Sequence, residues 1–192
     1  MSTKKHEQIT LFKTNLYGKK LEIDNKKIIK YINKIDRETV IVPNQSNYGG
    51  WHSHFYFEPF PSCVEQLNLQ INSFMKETIF KDFDVRGDLC VHNSWFLINN
   101  KNNFNKPRKR PPYTFTGVYV VKGSSNSGDI IFNNQAEMNN YAVDYKNFNE
   151  YNSKEFTLKL DVGCVYIWPA WIETLVTPNL SNSEKILYGF NI

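Results

Sequence analysis

The spacing of apolar positions changes along the chain, and the changes divide it. Residues 9–22, ITLFKTNLYGKKLE, alternate around Leu11, Phe12 and Leu16 and predict an early strand. From Asp24 the spacing becomes helical. Ile28, Ile29, Ile32 and Ile35 share one face, and the Asp24 carboxylate can cap the first turn, predicting a helix over 24–36. PNQSNYGGWHSH is rich in turn formers, with Gly49 and Gly50 able to take backbone angles that other residues avoid. Pro61 then opens a second amphipathic helix over 61–80, with Val64, Leu67, Ile71, Phe74 and Met75 as its core stripe.

After Asp88 the helical period disappears. Seven short β-branched and aromatic stretches follow, at 89–99, 113–123, 128–134, 155–163, 164–169, 173–178 and 185–192, separated by Gly, Pro, Asn and Ser clusters. Many short strands of this kind predict a sandwich, barrel or jelly roll. No linker is long enough to split the chain. The expectation is one domain over 1–192, in which 1–87 supply a strand and helices that flank a jelly-roll core at 88–192. In class terms it is mainly β with helices in the N-terminal half (α+β).

Composition narrows the function classes. With 41% hydrophobic and 15% aromatic residues, the 192-residue chain can fill a sizeable core. A net charge of +4 is too small to imply nucleic acid, which is not expected as a partner. Cys63, Cys90 and Cys164 are odd in number and widely spaced, so buried reduced thiols are expected rather than disulfides or a zinc site. The N-terminal MSTKKHEQIT has no apolar core of a signal peptide, and no stretch approaches the ~18 apolar residues of a membrane span. The expected setting is therefore neither membrane nor, by a signal peptide, secreted.

A set of motifs then runs in a fixed order: LFKTNLY, SNYGGWHS, NSWFLINN, TFTGVYVVKG, SGDIIFNN, and finally GCVYIWPAW with VTPN and EKILYGFNI. In this order the chain resembles the 2-oxoglutarate/Fe(II) oxygenases common in bacteriophages and marine microbes. The resemblance covers nearly the whole chain. It implies a double-stranded β-helix, a distorted jelly roll. In active members it implies an iron at one end, held by a histidine-bearing pair before the SGVYY-like strand and a distal histidine after the PSW-like turn. A basic residue near the C-terminus would bind the 2-oxoglutarate carboxylate. Such iron sites need neutral imidazoles and a carboxylate with open coordination positions.

The sequence departs from the pattern at those places. The paired ligand positions fall near Arg108 and Arg110, within the basic run KPRKRP, and the distal histidine falls on or beside Thr174. A guanidinium has no lone pair to give a metal. The tyrosine pair of GVYY is Tyr119–Val120, and Lys185 stands where the carboxylate-binding arginine belongs. Arg108, Arg110, Tyr119, Thr174 and Lys185 thus outline a vestigial pocket, in which the arginines are expected either to pair with an acid such as Glu173 or to stay in a solvated loop.

Another metal centre would have to come from His52, His54 and His92. His52 and His54 form an HxH that a strand would point to one side. The simpler expectation is two half-exposed histidines after a Gly-Gly turn, with His92 satisfied near the core. Trp51, Trp95, Trp168 and Trp171 are expected as core and rim packing.

Three functions follow. The first is a noncatalytic pseudoenzyme, a structural or protein-binding part of a phage virion, with homo-oligomer or virion neighbours as partners, located in the virion or host cytoplasm and needing no cofactor. The second is an active hydroxylase using Fe(II) and 2-oxoglutarate. The third is a metal-free module that binds a small anion or sugar. The polar segments 99–112, 133–153 and 1–10 are the expected contact loops.

Overall fold

The computed structural model describes residues 13–37, 46–135 and 145–192. The first strand is shorter than predicted, β1 at Tyr17–Lys20, and Leu11 and Phe12 lie outside the described residues. Helix α1 spans Asn25–Ile32, and the Asp24 carboxylate accepts from the Lys26 N–H at its start. Two short strands follow, β2 (Asn47–Tyr48) and β3 (Trp51–His52). The predicted second helix is two: α2 (Ser62–Glu77) and α3 (Ile79–Phe83). The break falls at Thr78, whose hydroxyl donates to the Phe74 carbonyl at 2.7 Å while its backbone leaves helical angles. A β-branched residue that bonds back onto the preceding turn in this way weakens a helix.

Strands β4 (Asn93–Asn99), β5 (Phe104–Arg108), β6 (Phe115–Lys122), β7 (Ile130–Asn133), β8 (Glu155–Leu158), β9 (Cys164–Pro169), β10 (Thr174–Val176) and β11 (Lys185–Asn191) complete the chain. They form a six-stranded sheet in the order β1-β9-β6-β11-β4-β3 and a five-stranded sheet in the order β2-β5-β10-β7-β8. Every described pairing is antiparallel. The two sheets face each other as a jelly-roll-like double-stranded β-helix.

The larger sheet is covered on both faces, which is why β4 and β11 read as continuous buried runs rather than as alternating ones. One face carries Phe96, Ile98, Tyr119, Val121, Ile167, Ile186 and Tyr188 against Ile28, Ile32, Leu67 and Ile71 of the helices. The other carries Trp95, Leu97, Val118, Val120, Trp168 and Leu187 towards Ile130 and Phe132 of the smaller sheet. This second cluster is the inside of the barrel.

One segment corrects the sequence reading, and a second refines it. The presumed loop 99–112 contains β5, paired on both sides to β2 and β10. Gly49 and Gly50 do not close a hairpin, because β2 joins the smaller sheet and β3 the larger. The chain crosses between sheets there, with Gly49 at φ +74°. Of the other proposed contact loops, 1–10 and the 136–144 part of 133–153 lie outside the described residues.

Candidate functional site

The candidate site is the barrel end where β4, β5, β10 and the β5–β6 connection meet. Trp95, fully buried on β4, forms its floor. Trp95 can lie flat there because its neighbour across β4–β11 is Gly189; a Cβ at Gly189 would sit 2.4 Å from the indole. The His52 ring stacks on Trp95, with centroids 5.7 Å apart and 8° between planes.

Two guanidiniums approach the same indole. The Arg110 Cζ lies 4.6 Å from a Trp95 ring centroid and the Arg108 Cζ lies 6.0 Å away, both within cation–π range. Arg108 ends β5, and Arg110 is fixed by its backbone N–H donating to the Ala170 carbonyl at 2.9 Å. Thr174 opens β10 as the register partner of both Arg108 and Phe132. A bulge lies just beyond, since Val176 pairs with Asn105. Pro107 falls in that bulge, where its missing N–H costs no ladder bond.

Inside the barrel, next to these groups, lies a void of about 20 Å³ lined by Leu97, Asn105, Arg108, Arg110, Thr174 and Leu187, among others. That is room for little more than one water. A small-molecule pocket runs to roughly 300–1,000 Å³.

The electrostatics follow from burial. Desolvation pushes Arg108 down to about 10 and lowers Arg110 well below its usual value, with repulsion from Arg108 as the second cause for Arg110. A guanidinium keeps its charge in proteins. The depression therefore expresses how poorly the site tolerates two adjacent cations. His52 is pushed down to about 4, first by burial and then, against a raising hydrogen bond to the Ser53 carbonyl, by Arg108 and Arg110. Because that carbonyl can only accept, Nδ1 of the neutral ring donates to it, at 2.5 Å.

The other sequence-derived site residues separate from this cluster. Tyr119 is on the opposite face of the larger sheet, packed under the helices, and its hydroxyl donates to Asn25 Oδ1 at 2.8 Å. Alternation along β6 gives the barrel interior Val118 and Val120 instead. Lys185 is buried, but its Nζ donates to the Gly128 carbonyl at 2.7 Å rather than lining the void. Glu173 does not meet the arginines; its Oε1 accepts from Asn133 Nδ2 at 2.7 Å. His54 is exposed because the chain leaves β3 after His52, so the HxH is not a strand pair. His92 is exposed too, edge-on to Phe57, rather than near the core. Among the described residues no three His, Cys, Asp or Glu side chains gather into a metal-binding group. The cysteines are free, and Cys90 is exposed rather than buried.

Trp95 is core packing as expected, but the sequence reading did not place it beside the arginines, and His52, expected half-exposed, is buried against it. The signal available for them was the WHS motif after the Gly-Gly turn and the tryptophan in NSWFLINN. A second concavity, about 610 Å³, borders Phe132, Asn133, Phe156 and Trp171 near this end. Trp171 and Phe156 are more than half exposed there, and Tyr151 and Phe148, on the segment beside it, are exposed as well.

Among the described residues, the side chains gathered here are not a donor set for iron. Two guanidiniums and a hydroxyl stand at the three positions that the sequence pattern marks, and the void cannot take a five-carbon diacid.

Residues 93–191, just over half of the chain, match the family model described as "Putative 2OG-Fe(II) oxygenase". The fold is similar to that of a Pseudomonas putida prolyl-4-hydroxylase, with TM-score 0.62 at 11% identity over 93% of this chain and 92% of that one. It is similar to a viral collagen prolyl hydroxylase from Paramecium Bursaria Chlorella virus-1, solved as a 2OG complex, with TM-score 0.56 at 9% identity over 91% and 94% of the two chains. It also resembles a non-heme alpha ketoglutarate dependent carbocyclase from nogalamycin biosynthesis, with TM-score 0.62 at 9% identity over 93% and 79%. No curated protein matches the chain. The chain belongs to the 2OG-Fe(II) oxygenase family.

Proposed function

We propose that this member of the 2OG-Fe(II) oxygenase family is noncatalytic and serves as a structural or protein-binding component, with a bacteriophage virion as its setting. The observation that carries the reading is the barrel end itself. Arg108, Arg110 and Thr174 stand where the sequence pattern expects the three ligands, and only about 20 Å³ is left between them and Leu97, Asn105 and Leu187. Each ligand loss alone could be compensated by a neighbour. The three together, with cationic groups at two of them, oppose a divalent cation.

Two further features support a surface role. The larger sheet is buried on both faces by helices and the second sheet, which makes a rigid scaffold. The exposed aromatics Trp171, Phe156, Tyr151 and Phe148 gather around or beside the 610 Å³ groove, and aromatic side chains of this kind are enriched in protein interfaces. The partner class is therefore another protein chain, a second copy or a virion neighbour. No helix among the described residues is long and apolar enough to cross a membrane.

The test has two arms on purified full-length chain. Metal analysis and calorimetry with Fe(II) and 2-oxoglutarate are expected to give no stoichiometric uptake and no 2-oxoglutarate consumption. Near-stoichiometric iron, lost on substituting His52 or His92, would restore the hydroxylase. Light scattering, with mass spectrometry of purified particles from the source, is expected to find the chain in an assembly at fixed stoichiometry. A monodisperse monomer absent from any particle would overturn the structural role.

A further inference from the structure

We propose that the groove between the first turns of α2 and the chain at 58–60 binds a basic, partly apolar segment of a different protein chain. The inference rests on the protein-binding reading above and names where, and by what chemistry, the partner is held. The groove belongs to the helix-covered side of the larger sheet: Phe60 and Val91, which line it, pack into the core cluster under the helices.

The first ground is charge. Glu58 and Glu65 border the groove, both exposed, and among the described residues neither joins an ion pair. The chain carries +4 overall, so its net field does not draw a cationic segment; two carboxylates at one groove draw it locally. The second ground is a buried donor. Position 68 falls on the inward face of α2 with Val64, Ile71 and Met75, yet it holds an asparagine. Asn68 is only 6% exposed; the Tyr188 hydroxyl donates to its Oδ1 at 2.8 Å, while its Nδ2 has no hydrogen-bond partner. Leaving a buried donor unsatisfied costs free energy. Asn68 lines the groove, so a backbone carbonyl seated there is the acceptor that its amide lacks.

Size and lining select a chain segment over an ion. The concavity measures about 640 Å³, within the roughly 300–1,000 Å³ of small-molecule sites. Phe60, Leu69 and Val91 are its apolar walls, and Leu69 is 69% exposed although its helix neighbour Leu67 is fully buried. A segment with lysine or arginine beside an aliphatic residue meets all three features. Its cations pair with Glu58 and Glu65, its aliphatic side chain covers Leu69, and its backbone carbonyl accepts from Asn68 Nδ2. An inorganic cation would meet the carboxylates and leave the apolar walls wet.

The experiment titrates the full chain against a capped, fluorophore-labelled peptide of alternating lysine and leucine, with anisotropy as the readout. A capped peptide of alternating glutamate and leucine is the control. Saturable binding of the basic peptide, weakened by salt, and none of the acidic one is expected. Glu58→Gln with Glu65→Gln is expected to weaken binding by at least about tenfold. Glu22→Gln with Glu155→Gln, two exposed acids outside the groove, is expected to leave it unchanged. Leu69→Ser, at an exposed position that leaves the core intact, is expected to weaken binding as well. No saturable binding by wild type, or an equal loss from both pairs of acids, would overturn the site. Butylamine binding as tightly as the peptide would overturn it in favour of a small cation. Self-association of wild type that Glu58→Gln with Glu65→Gln abolishes would overturn it in favour of a second copy. A chain found in a particle at fixed stoichiometry that does not bind the peptide would sink the groove alone, whereas peptide binding by a monomer absent from any particle would keep the groove and sink the virion setting.

Discussion

Arg108 on β5 and Thr174 on β10 are register partners across the smaller sheet, so their side chains leave the sheet side by side at the barrel end. Antiparallel partners sit about 4.5–5.5 Å apart at Cα. Two imidazoles placed there would share one metal ion. The triple substitution Arg108→His, Arg110→Asp and Thr174→His is therefore expected to create a Co(II) or Ni(II) site. Calorimetry should give near 1:1 binding, at least about tenfold tighter than any binding by wild type. A folded triple variant with wild-type metal affinity would show that the register of β5 and β10 does not bring these positions together.

Gly189 faces Trp95 across β4–β11, and an added methyl would meet the indole at 2.4 Å. Trp95 is fully buried and His52 stacks on it, so the ring has little room to retreat. Gly189→Ala is expected to destabilise the protein by about 3 kcal/mol, at the upper end of overpacking costs. Urea unfolding measures it. A cost under about 1 kcal/mol would mean that the ring moves freely, against the packing described here.

His52 makes stability depend on pH. Its folded pKa of about 4 lies below the ordinary 6.5. Above 6.5 both folded and unfolded states are neutral at this residue. As pH falls from 6.5 to about 4 the unfolded state takes up a proton that the folded state refuses, so stability falls. The full loss is about 3 kcal/mol. Urea unfolding of wild type and His52→Gln, from neutral pH to about 4, is expected to show wild type losing more stability by that order. Parallel profiles would mean the imidazole is not held neutral.

How much of this was legible in the sequence depends on which force set each element. The helices were readable because one face of each is apolar at helical spacing, as with Ile28 and Ile32 or Leu67 and Ile71. The strands after residue 88 were readable as short β-branched and aromatic runs between turn residues, and so was the class of fold. β5 was not. Apart from Phe104 its residues FNKPR are polar or helix-breaking, and it is held by backbone pairing to β2 and β10 plus a bulge that hides Pro107. Backbone pairing leaves no mark on side-chain pattern. The face that Tyr119 takes depends on strand register, and a shift of one residue reverses every side chain. Arg108, Arg110 and Thr174 were legible as a set because a family pattern supplied the long-range pairing. Trp95 and His52 were not, since their role comes from stacking between strands that are far apart in sequence.

Lys185 supplies a test at the alkaline side. Burial lowers its pKa from 10.5 to about 8, partly offset by the attraction of Asp129. Below about 8 the lysine is charged in both states, and the folded protein carries the whole cost of burying that charge. Between about 8 and 10.5 the folded lysine gives up its proton while the unfolded one keeps it, so the cost fades and stability from this residue rises with pH. The neutral amine can still donate to the Gly128 carbonyl, so the 2.7 Å bond need not be lost. Lys185→Met removes both the charge and that donor. At neutral pH the two effects oppose each other, and the variant is expected within about 1–2 kcal/mol of wild type. Raising the pH towards 10.5 should then move the difference in favour of wild type, by up to about 3 kcal/mol. Paired urea-unfolding curves at neutral and alkaline pH measure it. A difference that does not change with pH would mean that Lys185 stays charged in the fold and that the interior beside Gly128 is wetter than its burial implies.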